Sequence, residues 1–326
     1  MHRRLSRAGE RGVAKAIALP VLLLMMLTGY AGVQAPSSES FRISMDVALV
    51  VLHATVTDRQ GGFVSDVGER GFEVFEDGVP QRIRLFRNED IPVTVGLVVD
   101  HSSTMGPRIE EVAAAARSFV RFSNPEDEIF VVNFNETVSL GLPGTIRFTH
   151  NTSDLQEAIG HTPTGGQTAL YDAIAKALEE LQAGSRDKKA LIVVSDGGDN
   201  ASAHSLAEVM KLAAQSSAVI YTVGIFDAGD PDRNPTVLKR LAQRTGGEAF
   251  FPAQISEVVA ICERIARDIR HQYTIGYVPL NVARNGAYRS IRVVAARAQG
   301  HDKLSVRTRT GYIPGGEPRL DQTSAK

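Results

Sequence analysis

The sequence lacks the cysteines that a disulfide-stabilised protein needs. Cys262 is the only cysteine among 326 residues, so no disulfide can form within the chain. It lies in ISEVVAICERIARDI, where Val258, Cys262 and Ile265 recur at helical spacing. We therefore expect a buried structural thiol rather than a reactive one.

The chain also lacks an excess of charge of either sign. It has 36 basic and 37 acidic residues, a formal net charge of −1, and no long run of like charge. Proteins that bind nucleic acid normally carry a basic excess on one face, so this balance argues against a nucleic-acid partner. The apolar content of 43% is ordinary for a globular protein and excludes wholesale disorder.

Long apolar runs are missing as well. The run at residues 16–27 is shorter than the ~20 apolar residues that a spanning helix needs. Basic residues precede it and small residues follow it as far as Ala35, an order typical of a secretory signal peptide. We predict a signal peptide over residues 1–35 and a periplasmic or secreted mature protein without a transmembrane span.

Two stretches of the predicted mature chain alternate apolar and polar residues as strands do. In residues 36–90, two such runs flank Asp77-Gly78, a strong hairpin signal. Residues 271–314 contain three more, in QYTIGYVP, YRSIRVVAAR and KLSVRTRTGYI. Neither stretch can close a good core alone, so we predict that they pack together as a β-sandwich-like domain. Residues 315–326 are polar and are predicted to form a flexible tail.

Residues 91–270, between these stretches, alternate strands and helices. PVTVGLVVD and KKALIVVSD are typical of fully buried parallel strands, and RIEEVAAAARSFVRF of an amphipathic helix. The pattern predicts an α/β fold with a doubly wound, mostly parallel, Rossmann-like sheet covered by helices on both faces. Capping boxes are predicted at Ser153 and Ser205, and residues 137–142 and 145–149 are predicted as an edge hairpin.

Three loops of this α/β region carry clusters of polar residues. Asp100–Met105 and Ser195–Asp199 each follow a buried strand, and Thr164–Thr168 precedes a helix. Because the carboxyl ends of parallel strands meet at one edge of a sheet, we expect the loops to converge there. Oxygen ligands with few carboxylates suit Mg²⁺, Mn²⁺ or Ca²⁺ rather than zinc or copper. The sequence therefore predicts a divalent-cation site, with Mg²⁺ favoured over Mn²⁺ and Ca²⁺.

The expected ligands leave the cation short of negative charge. Ser102 and Thr104 lie two positions apart, so both hydroxyls can face one point in a tight loop. Asp100 and Asp196 supply negative charge, directly or through water. A cation held by hydroxyls, water and at most two carboxylates attracts a further carboxylate from a partner.

At these residues the sequence resembles the von Willebrand factor A-type domains, which include the integrin inserted domains. That family's motif is Asp-x-Ser-x-Ser, then a distant Thr and a distant Asp. It maps onto Asp100, Ser102, Thr104, Thr168 and Asp196. GGQTALYDAI and LIVVSDGGDN are similar to the family's second and third loops. The departure is Thr104 where the family usually has serine; a hydroxyl is kept, so we expect metal binding to survive.

The resemblance, which covers residues 91–270, implies a metal-ion-dependent adhesion site in a non-enzymatic protein. In such a site an acidic side chain of a protein partner completes the coordination of the cation. The flanking strands are similar to those of a wider group of exported bacterial proteins that contain this domain.

Individual residues of these loops also have plainer interpretations. Thr168 is expected to cap its helix as well as to bind metal. Asp199 is expected to stabilise its loop rather than to bind the cation. For His101, contact with a partner and simple exposure at the surface are both left open.

Other functions remain as alternatives. One is a structural envelope protein with a vestigial metal site. Another is a metal-dependent phosphoester hydrolase with Asp100 as nucleophile, but the second aspartate of haloacid-dehalogenase-like enzymes is replaced by Ser102. A serine hydrolase is disfavoured because Gly-x-Ser-x-Gly is missing.

Overall fold

The computed structural model describes residues 49–314, apart from 161, 227, 228, 230–232, 282, 284, 285 and 298–303. The predicted signal peptide and tail lie outside the described residues. The strands are β1 (Val50–Thr57), β2 (Phe72–Glu76), β3 (Val79–Gln81), β4 (Ile83–Arg87), β5 (Val93–Asp100), β6 (Glu128–Phe134), β7 (Val138–Leu140), β8 (Lys188–Ser195), β9 (Val219–Gly224), β10 (Ala249–Phe250), β11 (Tyr273–Tyr277), β12 (Arg289–Ala295), β13 (Ser305–Arg307) and β14 (Gly311–Tyr312). The α-helices are α1 (Ile109–Phe122), α2 (Thr152–Gly160), α3 (Leu170–Glu180), α4 (Leu206–Gln215), α5 (Pro235–Thr245) and α6 (Glu257–Arg270).

The central strands of the middle region form one sheet in the order β10-β9-β8-β5-β6-β7. Neighbours pair in parallel, except that β7 runs antiparallel to β6. Every residue of β5 is buried, as a continuous apolar run at the middle of a parallel sheet requires. The helices form two groups, in which α1 packs against α2 and α6, and α4 packs against α3 and α5. The predicted doubly wound α/β fold is confirmed.

The edge of this sheet differs from the predicted hairpin. Residues 138–140 form β7, but residues 145–149 do not pair with them. Instead Thr149 makes an isolated antiparallel bridge with Ile129 on β6. Gly141 extends the contact of the β7 side with β6, since its backbone N–H donates to the Val131 carbonyl at 2.9 Å. The prediction of a hairpin over 137–142 and 145–149 was therefore wrong in its second half.

The flanking strands form two antiparallel sheets, ordered β13-β1-β11-β4 and β14-β12-β2-β3. Each sheet contains strands from both sides of the α/β region, since β1 pairs with β11 and β2 pairs with β12. Leu52, Phe72, Tyr273 and Tyr277 belong to their shared core. The prediction that the two flanking stretches pack together as a sandwich is confirmed.

Local signals in the sequence account for several turns and helix ends. Asp77 and Gly78 both have positive φ, of 48° and 82°, as a two-residue hairpin turn needs. The capping box of Ser205 with Glu208 is present. The box predicted at Ser153 is not, because α2 begins one residue earlier and Asn151 accepts the Ser153 N–H at 2.8 Å.

Cys262 lies on the inner side of α6 and is buried. Burial raises the pKa of its thiol to about 12, so it stays protonated and unreactive near neutral pH. The prediction of a buried structural thiol is confirmed. No α-helix among the described residues is long and apolar enough to cross a bilayer.

Candidate metal centre

Asp100 ends β5 and anchors the first polar loop. Its side chain is fully buried, and both carboxylate oxygens accept hydrogen bonds. The Ser102 backbone N–H donates to Oδ1 at 2.8 Å, and the Ser195 hydroxyl donates to Oδ2 at 2.7 Å. Burial raises the pKa of Asp100 to about 6, against the lowering effect of those hydrogen bonds and with a further raising effect from the charge of Asp196.

The first and third loops meet through their side-chain oxygens. The Thr104 hydroxyl donates to Oδ2 of Asp196 at 2.9 Å across a sequence separation of 92 residues. The Ser102 and Thr104 hydroxyl oxygens lie 3.2 Å apart. The parallel pairing of β5 with β8, which sets Val99 beside Val194, brings these loops to one edge of the sheet. Asp100, Ser102, Thr104 and Asp196 are thus brought together as their positions after two adjacent strands predict.

Thr168 reaches the same edge from the second loop, but its role differs in part from the prediction. Its backbone N–H donates to Oδ1 of Asn200 at 2.9 Å, and its carbonyl accepts from the Asn200 N–H at 2.9 Å. Its side chain is buried. Among the described residues, its hydroxyl makes no hydrogen bond with the other four predicted ligands.

The expected helix cap at Thr168 is wrong. Helix α3 begins at Leu170, so the residue before it is Ala169, which offers no capping side chain. The Ala169 N–H donates instead to the Asn135 carbonyl at 2.7 Å. Thr168 is therefore one residue too far from the helix to cap it, and its hydroxyl is not used in that way.

Two glycines let the second loop lie against the first. Gly165 and Gly166 have φ of 146° and 77°, which side-chain-bearing residues rarely adopt. The Gly165 N–H donates to the His101 carbonyl at 2.8 Å, and the Ser103 hydroxyl donates to the Gly166 carbonyl at 3.0 Å. A Cβ at Gly166 would lie 1.5 Å from Oε2 of Glu136, so the loop has no room for a side chain in this arrangement.

His101 is neither exposed nor available to a partner, and both interpretations left open by the sequence were wrong. The residue is fully buried, and its Nε2 lies 3.1 Å from Oδ1 of Asn133. Burial lowers its pKa, so the ring is neutral. Its side chain turns into the protein, where it meets Asn133 on the neighbouring strand β6.

Ser195 and Asn200 hold the polar loops in place, a role that the sequence indicated for neither, although Ser195 belongs to the third polar loop. Ser195 holds Asp100 in place, and its hydroxyl also accepts the Gly197 N–H at 3.0 Å. Asn200 joins the second and third loops. The sequence offers one signal for this role of Asn200, which is its position just after the third loop. Asp199 accepts the Tyr171 N–H at 3.1 Å and stabilises the start of α3.

The oxygen spacings fit a small octahedral cation. Mg²⁺ binds oxygen at about 2.1 Å, so adjacent ligands of an octahedron lie about 3.0 Å apart. The spacings from Thr104 to Asp196 and from Ser102 to Thr104 are 2.9 and 3.2 Å. Within the described part of the chain, no group of three or more His, Cys, Asp or Glu is placed to hold a metal ion.

Comparison with known proteins identifies the α/β region. Residues 95–198 match the family model of the von Willebrand factor type A domain. A von Willebrand factor type A protein from Catenulispora acidiphila is similar in structure, with a TM-score of 0.49 and 13% identity over 81% of this chain and 73% of that one. The vWF domain of a type V pilus tip protein from Porphyromonas gingivalis gives a TM-score of 0.47 and 17% identity over 55% of this chain and 95% of that one. A comparison with curated proteins gives no match. The family model, spanning the first and third polar loops as far as Gly198, shows that this chain contains a von Willebrand factor type A domain.

Proposed function

We propose that this protein is an exported, non-enzymatic binding protein whose von Willebrand factor type A domain holds a divalent cation. The proposed ligand set is Asp100, Ser102, Thr104, Thr168 and Asp196, directly or through water. An acidic side chain of a protein partner completes the coordination. Mg²⁺ is the favoured ion, with Mn²⁺ and Ca²⁺ as substitutes. Location in the periplasm or outside the cell follows from the predicted signal peptide and is part of the same proposal.

One observation carries the proposal. The Thr104 hydroxyl lies within hydrogen-bond range of both the Ser102 hydroxyl and the Asp196 carboxylate, which come from loops after two different strands. Such a cluster of oxygens with few positive groups is what Mg²⁺ needs from a protein. The Thr104 hydrogen bond to Asp196 holds two of these oxygens in position.

The charge balance favours a partner carboxylate over a self-contained site. Both oxygens of Asp100 accept hydrogen bonds, from the Ser102 N–H and the Ser195 hydroxyl. Oδ1 of Asp196 accepts the Gly198 N–H at 2.8 Å, and Oδ2 accepts the Thr104 hydroxyl. A cation with two carboxylates at most, each of which also accepts hydrogen bonds from the protein, retains affinity for a further anion.

The same hydrogen bonds disfavour phosphoester hydrolysis. A nucleophilic Asp100 would need a free oxygen facing the substrate, yet its side chain is fully buried and both oxygens are engaged. Ser102 has no histidine base, because the adjacent His101 is turned inward toward Asn133. Binding rather than turnover is therefore the proposed activity.

Thermal melting with and without cations tests the proposal. Mg²⁺ or Mn²⁺ at about a hundred times its dissociation constant should stabilise the folded protein by about 2.7 kcal/mol. Asp196→Asn keeps the shape and an oxygen for the Gly198 N–H but removes the charge, and should abolish the stabilisation. Ser139→Ala, on the exposed edge strand β7, is the matched control and should melt as the wild type does.

The partner carboxylate is tested on the same protein. N-acetyl-aspartate methylamide should raise the affinity of the protein for Mg²⁺. By linkage, Mg²⁺ should raise the affinity for the aspartate derivative by the same factor. Cation binding without this coupling would contradict the proposed role in recognition. No response of the melting temperature to any divalent ion would instead favour a structural protein with a vestigial site.

A further inference from the structure

The two most exposed large apolar side chains in the described part of the chain lie at one end of the sandwich. Leu280 is 70% exposed and Val79 is 49% exposed. The buried side chain of Gln81 joins their backbones, since its Nε2 donates to the Val79 carbonyl at 3.2 Å and its Oε1 accepts the Leu280 N–H at 3.1 Å. Both residues therefore belong to one surface.

Leu49 extends this surface at the start of β1. It is 43% exposed, and its side chain lies over Gly276, where an added Cβ would be 3.2 Å from the Leu49 Cδ2. The next residue, Val50, pairs with Tyr277 at the end of β11, close to Leu280 in the chain. We call these three side chains the apolar tip: Leu49, Val79 and Leu280.

Exposed arginines flank the apolar tip. Arg82 lies between β3 and β4, and Arg84 lies on β4. Within residues 49–314, apart from the positions left undescribed, neither side chain makes an ion pair or a hydrogen bond. Guanidinium groups match phosphate oxygens in geometry and charge, and the negative surface of an anionic membrane attracts them.

The composition of this surface favours a membrane over a protein partner. An exposed apolar patch with polar residues around it marks a site that binds one or the other. The residues that anchor protein interfaces are enriched in tryptophan and tyrosine and poor in leucine and valine, whereas the apolar tip is wholly aliphatic. Segments that rest on anionic membranes combine arginine or lysine with large apolar side chains.

The apolar tip lies at the end of the sandwich away from the α/β domain. The chain leaves the sandwich for that domain at Arg87, the end of β4, and returns at Tyr273, the start of β11. Arg87 pairs with Thr274, so these two strand ends lie together. Val79 precedes β4 and Leu280 follows β11, which places both at the opposite ends of the strands. A surface bound at the apolar tip therefore leaves the metal centre open to a partner.

We propose that the apolar tip is a membrane-docking surface, which inserts its three aliphatic side chains into the headgroup region of an anionic bilayer. Arg82 and Arg84 bind the lipid phosphates at the same time. The inserted side chains contribute free energy because they leave water, and the arginines add electrostatic attraction. This docking goes beyond the binding function proposed above, and it does not depend on the cation.

Tryptophan fluorescence tests the proposal, because the sequence contains no tryptophan and an introduced one reports its own surroundings. The chain is used from Pro36, without the predicted signal peptide, so that the apolar run of that peptide cannot bind lipid. Leu280→Trp, titrated in the presence of a chelator with vesicles of equal parts phosphatidylglycerol and phosphatidylcholine, should give a saturable blue shift of its emission. Leu140→Trp, at a position 48% exposed on β7, is the matched control and should give no shift.

The lipid composition tests the role of the arginines. Vesicles of phosphatidylcholine alone should bind about tenfold more weakly, since they lack the negative surface charge. Absence of a blue shift with the anionic vesicles, an equal shift in Leu140→Trp, or equal binding to both kinds of vesicle would overturn the proposal.

Cosedimentation with the anionic vesicles, using the chain without tryptophan, completes the experiment. Leu280→Ser should lower binding about tenfold, and Arg82→Gln should lower it several-fold. Leu140→Ser and Arg59→Gln, at exposed positions elsewhere, are the matched controls and should bind as the wild type does. Unchanged binding in Leu280→Ser would contradict the proposal. Dimers in sedimentation velocity that Leu280→Ser abolishes would assign the apolar tip to a second copy of the chain and overturn it.

Discussion

Asp268 on helix α6 accepts a hydrogen bond of 2.6 Å from the hydroxyl of Thr55 on strand β1. The two residues are 213 positions apart, and Arg307 on β13 donates to the other oxygen of the same buried carboxylate. Two residues after α6 ends, the chain continues as β11 in the sandwich. The α/β domain is therefore joined to the sandwich at the C-terminal end of α6 by side chains as well as by the chain itself.

Asp268→Ala should destabilise the protein by about 3 kcal/mol, since it breaks the ion pair with Arg307 and removes the acceptor of the Thr55 hydroxyl. Arg307 also lies 3.5 Å from Glu248 and so keeps one acidic partner in the variant. We therefore expect a loss of unfolding free energy at the lower end of the range for broken buried ion pairs. Urea denaturation measures the change. Asp66→Ala removes the exposed pair with Arg297 and, as the matched control, should cost less than about 1 kcal/mol. Equal losses for both variants would contradict a special role for the junction.

His53 makes stability depend on pH. Burial, with the nearby charges of Lys188 and Arg309, lowers its pKa to about 3, whereas the unfolded value is about 6.5. Above pH about 6.5, the pKa of His53 in the unfolded chain, the ring is neutral in both the folded and the unfolded protein. As pH falls from about 6.5 towards about 3, the unfolded chain takes up a proton that the folded protein cannot, so stability falls by up to about 1.4 kcal/mol per unit.

His53→Asn removes this titration. The free energy of unfolding of the wild type should fall by about 2 kcal/mol more than that of the variant between about pH 6.5 and about pH 5. Denaturation at the two pH values measures the difference. His271→Asn, at an exposed position, serves as the control. Parallel pH dependence of wild type and His53→Asn would show that another group is responsible.

Gly166→Ala should loosen the second loop. The positive φ costs an alanine about 1–2 kcal/mol, and Glu136 must also move from its hydrogen bond with the Gln167 N–H. We expect Mg²⁺ affinity to fall by about tenfold, measured by calorimetry. Gly144→Ala, with nothing within 4 Å of its added Cβ, should leave the affinity unchanged. An unaltered affinity in Gly166→Ala would show that this loop does not position the site.

Thr104 should act through its hydroxyl alone. Thr104→Ser keeps that group and should bind Mg²⁺ within about threefold of the wild type, whereas Thr104→Val removes it and should weaken binding by about tenfold or more. The valine variant also breaks the hydrogen bond to Asp196, so its folding is checked by circular dichroism. Tight binding by Thr104→Val would remove Thr104 from the ligand set.

The sequence was sufficient to predict the architecture and the convergence of the loops. The apolar runs of β5 and β8 indicate buried strands. The register of their parallel pairing brings Asp100 and Asp196 to the same edge of the sheet. Alternation indicated the strands of the two flanking stretches, and the small size of each stretch predicted that they share a sandwich. The spacing of apolar residues shows which side chains are buried. Burial of those side chains determines the strands of the main sheet and of the sandwich.

Details that depend on single side chains could not be predicted in the same way. The inward turn of His101 depends on Asn133, which lies on a different strand and gives no local signal. The helix cap expected at Thr168 is not formed, because α3 begins only at Leu170, and Asn200 holds the Thr168 backbone instead. Residues 145–149 alternate polar and apolar side chains as a strand does, yet only Thr149 pairs with β6. Tertiary contacts decide such positions.

Anomalous scattering from crystals grown with Mn²⁺ shows whether the three loops hold one divalent cation. We expect one strong peak within about 2.3 Å of the hydroxyl oxygens of Ser102 and Thr104, with Thr168 and Asp196 bound directly or through one water. Absence of a peak there at saturating Mn²⁺, or a peak whose ligands exclude both hydroxyls, would contradict this expectation.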